Sequence, residues 1–475
     1  MNILMVTSET VPFSKSGGLA DVVGALASAL AKEGNDVKVF MPFYSFIDRT
    51  GFHKRYDIEA EMLSGTEKAG ICTRKLGKVE YVALDHPYYS ERKGIYGDTS
   101  YTPYSDNCPR FLFFAKAAAS YIKASGIDFD IVHCHDWTAG LVPFYLKESR
   151  IKAKTVFTIH NLAYQGDFSH YDAVLAGDRF PTYVLSGSGD EKRINMLKAG
   201  LESADKITTV SSTYAKEIQT SEQGCGLDWL LRQRKQDLVG IVNGIDTAEW
   251  NPNTDKAFEE HFSARSLKGK EKLKARVQEE FGLEVNPDIP LFAMISRIAD
   301  QKGFSELLSG HSPAIDRILD LPLQLLIIGT GDGNYERMLK DRTYTRRNLS
   351  VNILFSGEKA HRVEGGADFF LMPSRYEPCG LNQMYSLRYG TLPIAHRTGG
   401  LADTIVDLSE DSENGTGFLF TQMEPDAIIE SIRKALELYK DKDALLKTRK
   451  RAMSGDFSWK KSAEEYHKLY SRLRG

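Results

Sequence analysis

The sequence lacks most of the features that mark disulfide-rich, zinc-binding and membrane proteins. Only five of its 475 residues are cysteines, and no two of them form a Cys-x-x-Cys pair. This usage argues against a disulfide framework or a zinc site and favours a reducing compartment. No apolar run approaches the ~18 residues that a membrane span needs, and no basic and apolar leader precedes the first predicted strand. We therefore expect a cytoplasmic protein with no signal peptide and no membrane partner.

A strong charge of either sign is also missing. The formal net charge is −3, so bulk charge provides no attraction for nucleic acid or for membranes. Any anionic ligand must therefore be bound by local positive charge. The first predicted strand is not followed by a Gly-x-Gly-x-x-Gly motif, which counts against a nicotinamide-dependent dehydrogenase.

Strands and helices are predicted to alternate along the chain, which is longer than a usual domain of ~100–200 residues. The predicted strands cover residues 2–8, 36–41, 80–85, 129–135, 155–159, 206–210 and 238–243, and then 290–295, 323–328, 351–355, 368–373 and 417–420. The main predicted helices cover residues 19–33, 109–124, 193–203, 268–281 and 459–473. This alternation predicts an α/β protein with two Rossmann-like domains, each a doubly wound parallel sheet, facing each other across a cleft. We place them at 1–243 and 244–456, followed by a C-terminal helix in 457–475.

The loop after the first strand has the composition of a phosphate-binding loop. Lys15, Gly17 and Gly18 lead into a helix whose first N–H groups have no intrahelical partner, so a phosphate could approach both backbone and cation there. The alternative is a flexible turn that happens to contain a lysine.

Polar residues also follow two later strands of the first half. Asp136 follows His133 and His135, which could suggest a metal site, but no matching ligands lie nearby in the sequence. Asp136 is instead expected to cap the next helix while its side chain faces the cleft, and capping alone is the alternative. His160 and Asn161 follow the next strand, and their side chains can both donate and accept hydrogen bonds, as hydroxyl recognition requires. A buried structural histidine is the alternative for His160.

In the second half, two cations and an acid follow buried strands. Arg297 and Lys302 share one strand-end loop and would suit a diphosphate, with arginine as bidentate partner and lysine as point charge. Glu377 lies between a buried strand and a helix, where open α/β sheets bind ligands. The alternatives are a solvated loop for the two cations and a surface salt bridge for Glu377.

Cations around a departing diphosphate, together with groups that bind sugar hydroxyls, describe glycosyl transfer from a nucleotide sugar. Metal-dependent transferases often use an Asp-x-Asp motif. The two matches, at 128–130 and 441–443, are predicted before a strand and on a helical surface. We therefore expect no metal and no other cofactor.

Seven ordered motifs are similar to those of one family. They read KSGGLAD at 15–21, HDW at 135–137, HNLAYQG at 160–166, AGLESAD at 199–205, NGID at 243–246, EPCGL at 377–381 and RTGGLAD at 397–403. On these motifs the chain resembles bacterial glycogen synthases, retaining GT-B glycosyltransferases that use ADP-glucose and include starch synthases. The resemblance implies transfer of glucose from ADP-glucose to the non-reducing end of glycogen or another α-1,4-glucan.

The resemblance also implies roles for matched residues. Asp136 and His160 would bind the glucose, and Glu377 would bind its hydroxyl groups. The predicted catalytic residues are Lys15, Asp136, His160, Arg297, Lys302 and Glu377, of which the second-half cations would neutralise the departing ADP. The predicted ADP-glucose contacts are Gly17, Gly18, Asp21, Asn161, Asn243, Phe355, Cys379, Gly380, Leu381, Thr398, Gly399 and Gly400, with Phe355 against the adenine.

One position departs from the wider retaining GT-B pattern. That pattern has a second glutamate eight residues after the first, where this chain and the glycogen synthases have Tyr385. No second carboxylate is therefore placed as a nucleophile, and we expect same-face attack assisted by the leaving phosphate. A trapped glucosyl-enzyme ester would contradict this mechanism.

The resemblance further implies that the first domain binds the glucan and that the last helix packs back on it. The alternatives are a UDP-glucose-dependent enzyme of the same fold and a glucan-binding protein that has lost catalysis. Nothing in the sequence specifies an oligomeric state.

Overall fold

The computed structural model describes residues 1–62, 65–98, 102–169, 171–172, 180–181, 184–186 and 192–475. The chain forms two compact units. The first unit combines Met1–Gly244 with Trp459–Gly475, and the second unit is Ile245–Ser458. The sequence places these junctions after residues 243 and 456, and the structure places them after Gly244 and Ser458. Among the described residues, no helix is both long and apolar enough to cross a membrane.

The first unit is built on a nine-stranded sheet. Its strands, with those of a small second sheet, are β1 Asn2–Val6, β2 Asp36–Pro42, β3 His53–Met62, β4 Gly65–Leu76, β5 Val79–Asp85, β6 Ile131–His135, β7 Lys154–Ile159, β8 Asp167–Ser169, β9 Leu185–Ser186, β10 Arg193–Asn195, β11 Lys206–Thr209 and β12 Leu238–Gly240. The large sheet has the order β12-β11-β7-β6-β1-β2-β5-β4-β3, and β8-β10-β9 form the small antiparallel sheet. The central strands are apolar runs because both faces of the sheet are covered.

The hairpin of β3 and β4 was not predicted from the sequence. These two strands pair antiparallel with each other, and β4 pairs antiparallel with β5, whereas the rest of the large sheet is parallel. The β3 residues alternate between exposed and buried in their second half, so they present no apolar run. The pattern of buried apolar runs therefore does not predict this hairpin at the edge of the sheet.

Helices cover the sheet of the first unit. They are Gly18–Lys32, Pro87–Ser90, Asn107–Ser125, Val142–Glu148, Met196–Ser203, Ser212–Glu217, Asp228–Gln233 and Trp459–Arg474, with a 3₁₀ turn at Trp137–Ala139. The helix predicted over 193–203 begins only at Met196, because 193–195 form β10. The side chain of Asn195 caps this helix by accepting a hydrogen bond from the Lys198 N–H at 2.8 Å.

The C-terminal helix belongs to the first unit although it follows the second in sequence. Its Tyr470 hydroxyl lies 2.7 Å from Nδ1 of the buried His133. Its Ser462 hydroxyl donates to the Val242 carbonyl at 2.6 Å. Tyr466 and Tyr470 are fully buried, so this helix completes the hydrophobic core of the unit rather than extending from it.

The second unit has one six-stranded sheet. Its strands are β13 Leu291–Ile295, β14 Gln324–Ile328, β15 Leu349–Asn352, β16 Phe369–Met372, β17 Leu392–His396 and β18 Phe418–Phe420. All pairs are parallel, in the order β15-β14-β13-β16-β17-β18. The helices are Lys268–Glu280, Phe304–Leu308, Ala314–Leu319, Gly333–Thr343, Gly357–Gly366, Asn382–Arg388, Gly399–Thr404, Pro425–Lys440 and Lys442–Met453, with a 3₁₀ turn at Asp300–Lys302. Apolar clusters cover both faces of the sheet.

A buried ion cluster lies where β13 and β16 begin in this second sheet. The Asp368 carboxylate lies 2.8 Å from Nζ of Lys274 and 2.5 Å from Arg449. It also accepts the backbone N–H of Leu291 at 2.8 Å. Burial alone would raise the pKa of Asp368, but the two cations and this N–H outweigh it and lower the pKa. The charged form therefore stabilises the fold.

We expect Asp368→Asn to lower the free energy of unfolding by about 3–5 kcal/mol, because two buried cations lose their counter-charge. Chemical denaturation at neutral pH measures this change. The matched control is Asp320→Asn, which removes an exposed ion pair with Arg346 and is expected to cost less than about 1 kcal/mol. Equal effects in the two variants would contradict the structural role of Asp368.

Candidate active site

The predicted cations and acid of the second unit lie at its topological switch point. The chain runs from β13 to one side of the sheet and later returns through β16 on the other side. The loops after β13 and β16 therefore begin side by side at the carboxyl edge before the chain continues in opposite directions, and such a point is where open α/β sheets bind ligands. Arg297 and Lys302 lie in the first of these loops, and Glu377 lies in the second.

Lys302 and Glu377 form an ion pair across the two loops. Nζ of Lys302 lies 2.5 Å from Oε2 of Glu377. The same oxygen accepts the Ser374 hydroxyl at 3.0 Å. Both side chains are largely buried, and a pair shielded from water is attracted more strongly than an exposed one. Glu377 is therefore salt-bridged, as the alternative interpretation had it, but the pair is buried rather than on the surface.

Arg297 lies in the more exposed part of the same loop. Its Nη2 donates to Oε1 of Gln301 at 2.9 Å. The Gln301 carbonyl in turn accepts the backbone N–H of Arg375 at 2.9 Å, so the two loops are linked through one glutamine. The structure thus brings Arg297, Lys302 and Glu377 together at one edge of the sheet.

One glycine allows these two loops to approach each other, and a second allows the loop after β17 to approach Glu377. Gly303 has φ +82, and a Cβ there would lie 1.9 Å from the Pro373 carbonyl oxygen. Gly399 has φ +44, and its Cβ would lie 2.0 Å from the Glu377 carbonyl oxygen. That carbonyl accepts the N–H of Gly400 at 3.1 Å. The predicted Thr398–Gly400 segment therefore packs directly against the backbone of Glu377.

The neighbouring Cys379, Gly380 and Leu381 lead into the helix Asn382–Arg388. Gly380 has φ +71, a left-handed conformation that favours glycine. The Gln383 side chain donates to the carbonyls of Cys379 and Gly380, each at 3.0 Å. The loop predicted to contact the sugar is thus fixed in place from its own helix.

Tyr385 occupies the position where the wider pattern has a second glutamate. Its ring stacks on Trp250, with ring centroids 3.6 Å apart and planes 8° from parallel. The other face of Trp250 stacks on His361 at 3.7 Å. An aromatic stack therefore occupies this position, which agrees with the expectation that it supplies no carboxylate.

Phe355 is the most exposed large apolar side chain of the described residues, with 92% of its surface accessible. The predicted strand over 351–355 is in fact Leu349–Asn352, so Phe355 lies in the loop after β15. An exposed aromatic ring at the carboxyl edge of a parallel sheet is available to stack on a planar ligand.

In the first unit, the switch point lies between β1 and β6. Glu9, in the loop after β1, was missed by the sequence analysis. Its buried carboxylate accepts the backbone N–H groups of Ser16 and Gly17, the latter at 3.1 Å. It also accepts the Tyr96 hydroxyl at 2.9 Å. Burial raises the pKa of Glu9, and these hydrogen bonds oppose the increase.

The Glu9 carboxylate therefore binds backbone N–H groups that the sequence predicted to bind a phosphate. The Ser16 and Gly17 N–H groups point to a carboxylate of the chain itself, and Nζ of Lys15 lies 2.8 Å from the Asp21 carboxylate. A sequence signal was present, since Glu9 is an acid in the same strand-end loop. The predicted roles of Gly17, Gly18 and Asp21 in ligand binding stay predictions.

Asp136 follows β6. One interpretation of the sequence was that it caps the next helix, but the structure shows no such cap. It makes no side-chain capping bond to the turn Trp137–Ala139. Its carboxylate instead accepts the backbone N–H of His160 at 2.8 Å. Asp136 has φ 56, an uncommon conformation for a residue with a side chain. This backbone turns the carboxylate across the ends of β6 and β7.

Burial raises the pKa of Asp136 to about 7, against the lowering effect of the His160 and Asn161 N–H groups, and the nearby Glu9 raises it further. The folded chain thus keeps this proton at pH values where an unfolded carboxyl, with a pKa of 3.8, has lost it. Between these values the unfolded state binds fewer protons, so the free energy of unfolding falls as pH rises.

We expect Asp136→Asn to remove this contribution and to flatten the pH profile of unfolding free energy between about pH 4 and 7. Denaturant titrations at half-unit pH steps measure the profile. The control is Asp128→Asn, which changes an exposed aspartate of the same unit. Parallel profiles for the two variants would contradict the elevated pKa.

Three histidines lie near Asp136, two of them in β6 and one directly after β7. His133 is structural, because its Nε2 lies 2.5 Å from the Thr158 hydroxyl and its Nδ1 contacts Tyr470. His135 lies with its Nδ1 3.0 Å from Nε2 of His160. Burial lowers the pKa of both His133 and His160 to about 3, so these rings are neutral at pH 7. Across the described part of the chain, no three His, Cys, Asp or Glu side chains are grouped as metal ligands.

Asn161 and Asn243 complete the predicted set in the first unit. The Asn161 side chain accepts the Ala163 N–H at 3.0 Å and so shapes its own loop. Asn243 is buried, and its Oδ1 has no hydrogen-bond partner among the described residues. The structure therefore brings together Asp136, His160 and Asn161 in one unit and Arg297, Lys302 and Glu377 in the other.

These features correspond to a known family. The model of the starch synthase catalytic domain matches residues 2–233, and that of glycosyl transferases group 1 matches residues 276–452. A glycogen synthase of Geotalea daltonii is 43% identical over 99% of this chain and 98% of that protein. A glycogen synthase of Treponema denticola is also 43% identical, with the same coverage of each chain. The chain belongs to the glycogen and starch synthase family.

A solved structure supports the family at the level of the fold. The catalytic domain of starch synthase IV from Arabidopsis thaliana, bound to ADP and acarbose, is 30% identical with a TM-score of 0.88. The match covers 100% of this chain and 99% of that one. As a glycosyltransferase of the glycogen and starch synthase family, the chain has the GT-B fold, with two Rossmann-like units as predicted.

Proposed function

We propose that the chain transfers glucose from ADP-glucose to the non-reducing end of an α-1,4-glucan, with retention of the anomeric configuration. The observation that carries this proposal is the buried ion pair of Lys302 and Glu377 at the switch point of the second unit, with Arg297 in the same loop. Relatives named glycogen synthase support the acceptor, and ADP bound to the related starch synthase supports the nucleotide.

Lys302 and Arg297 would stabilise the diphosphate as it departs. Negative charge develops on the leaving phosphate in the transition state, and cations already in place lower its energy without reorganisation. The Lys302 ammonium is oriented by Glu377 at 2.5 Å, so its position does not depend on the ligand. Lys15 would have to exchange Asp21 for a phosphate oxygen, since these two residues are paired in the chain.

Two of the groups that would bind the glucose have pKa values shifted toward their neutral forms. His160 is neutral because burial lowers its pKa, and Asp136 has its pKa raised to about 7. Hydroxyl groups are recognised by such donors and acceptors, and Glu377 with the loop 379–381 would contact further hydroxyls. The proposal includes no metal ion, and it places the protein in the cytoplasm on the basis of its cysteine usage.

Retention would follow from attack on the face that the phosphate leaves. The aromatic stack at Tyr385 supplies no carboxylate as a second group, so we propose no glucosyl-enzyme ester. The leaving phosphate itself would accept the proton of the incoming glucan hydroxyl, which forms the new glycosidic bond as the C–O bond to phosphate breaks.

The adenine would stack on Phe355, whose ring is 92% exposed. Stacking alone accepts any planar base, so UDP-glucose is the second candidate donor. The deciding experiment measures incorporation of labelled glucose into glycogen from ADP-glucose and from UDP-glucose. Digestion of the product by an α-1,4-specific glucosidase reports the configuration. Preference for UDP-glucose, or a product that resists digestion, would contradict the proposal.

We expect Lys302→Ala and Glu377→Ala each to lower kcat by roughly 10²–10³, because preorganised charge at the leaving group is lost or misplaced. The matched control is Lys440→Ala, which removes an exposed lysine paired with Glu437 in the same unit and should leave kcat unchanged. Circular dichroism checks that all three variants fold. Near-normal turnover in either of the first two would refute the role of that residue.

A further inference from the structure

His135 is a buried histidine that has no role in the proposed reaction. It ends β6 and is fully buried. Its Nδ1 lies 3.0 Å from Nε2 of His160, whereas its own Nε2 is buried with no hydrogen-bond partner among the described residues. His133, two residues earlier on the same face, has partners for both ring nitrogens. Within the described part of the chain, the His135 ring therefore has its polar contact with His160.

A contact between two ring nitrogens is a hydrogen bond only if one carries a proton and the other a lone pair. Burial lowers the pKa of His135 and of His160 well below the usual value, so each ring carries one proton at neutral pH. Two arrangements satisfy these conditions. Either His135 donates from Nδ1, or His160 donates from Nε2 and His135 keeps its own proton on Nε2.

The second arrangement leaves a buried N–H group of His135 without an acceptor. Orphaned buried N–H groups are rare, and unsatisfied acceptors are tolerated somewhat better. The first arrangement leaves only a lone pair at Nε2 of His135. It also fixes the proton of His160 on Nδ1, since the hydrogen bond at one ring nitrogen sets the tautomer at the other. Nδ1 of His160 has no hydrogen-bond partner among the described residues, so that donor is free for a ligand.

We propose that His135 is a positioning residue that donates from Nδ1 to His160 and so holds His160 as an Nδ1–H donor toward a hydroxyl oxygen of the transferred sugar. The tautomer follows from this chain's own contacts, whereas the identity of the acceptor oxygen rests on the proposed function. His135 contacts no substrate itself and acts only through His160.

The tautomer is measured on the full-length chain by long-range ¹H–¹⁵N correlation spectra after ¹⁵N-histidine labelling at pH 7.5. The signals of His160 are assigned by their loss in His160→Gln. We expect a protonated Nδ1 and a bare Nε2. The opposite pattern, a protonated Nε2, would overturn the proposal.

Two variants test whether His135 is the cause. His135→Asn keeps an N–H donor near the position of Nδ1, whereas His135→Phe fills the ring volume without one. We expect Asn to preserve the Nδ1–H tautomer and Phe to give a mixture of tautomers. The value of kcat/KM for ADP-glucose should fall roughly three- to tenfold in the Phe variant only, as for the loss of one hydrogen bond.

The matched control is His133→Phe. It changes the same residue type on the same face of β6, and its ring lies 4.1 Å from that of His135 with the planes 36° apart, but its hydrogen bonds go to Thr158 and Tyr470 rather than to His160. We expect it to destabilise the fold and to leave the His160 tautomer unchanged. A tautomer change in His133→Phe equal to that in His135→Phe would refute a specific role for His135.

The outcomes separate this proposal from the proposed function. A protonated Nδ1 in a chain that transfers no glucose from ADP-glucose would refute the function and keep the His135–His160 bond. Normal kcat/KM in a folded His135→Phe variant that still transfers glucose would refute the positioning role and keep the function.

Discussion

The candidate site of the second unit depends on the close approach of two strand-end loops. Lys302 reaches Glu377 at 2.5 Å only because the backbone beside each residue has no side chain in the way. Gly303 lies against Pro373, and Gly399 lies against the carbonyl of Glu377 itself. A larger residue at Gly303 would push the two loops apart, and one at Gly399 would push the loop after β17 away from Glu377, so the distance between the paired charges depends on backbone packing.

Parallel topology determines where such loops can meet. In each unit the sheet is extended in opposite directions from one pair of central strands, β1 and β6 in the first and β13 and β16 in the second. The chain continues from these strands in opposite directions along the sheet, and the first residues after each strand leave their polar groups together at the carboxyl edge. Glu9 and Asp136 occupy this place in the first unit, as the Lys302–Glu377 pair does in the second.

Much of this arrangement could be predicted from the sequence, because it follows from local patterns. Buried parallel strands are apolar runs, and the charged loops after them are visible as Arg297, Lys302 and Glu377. The missed features depend on contacts between distant residues. Glu9 matters because its carboxylate accepts the N–H groups of Ser16 and Gly17, which lie seven and eight residues further along the chain. Asp136 was misassigned as a possible cap because its partner, the His160 N–H, is 24 residues away.

The two units differ in the charge of the side chains near their switch points. In the first, burial shifts the pKa values of Asp136, His133 and His160 toward their neutral forms, so the two histidines are neutral at pH 7 and Asp136 is partly protonated there. In the second, Lys302 and Glu377 are retained as an ion pair. Neutral hydrogen-bonding groups discriminate among hydroxyls by geometry, whereas a cation attracts phosphate from any direction. In the proposed reaction, His160 would therefore recognise the sugar as a neutral group, whereas Lys302 would stabilise the leaving phosphate as a cation oriented by Glu377.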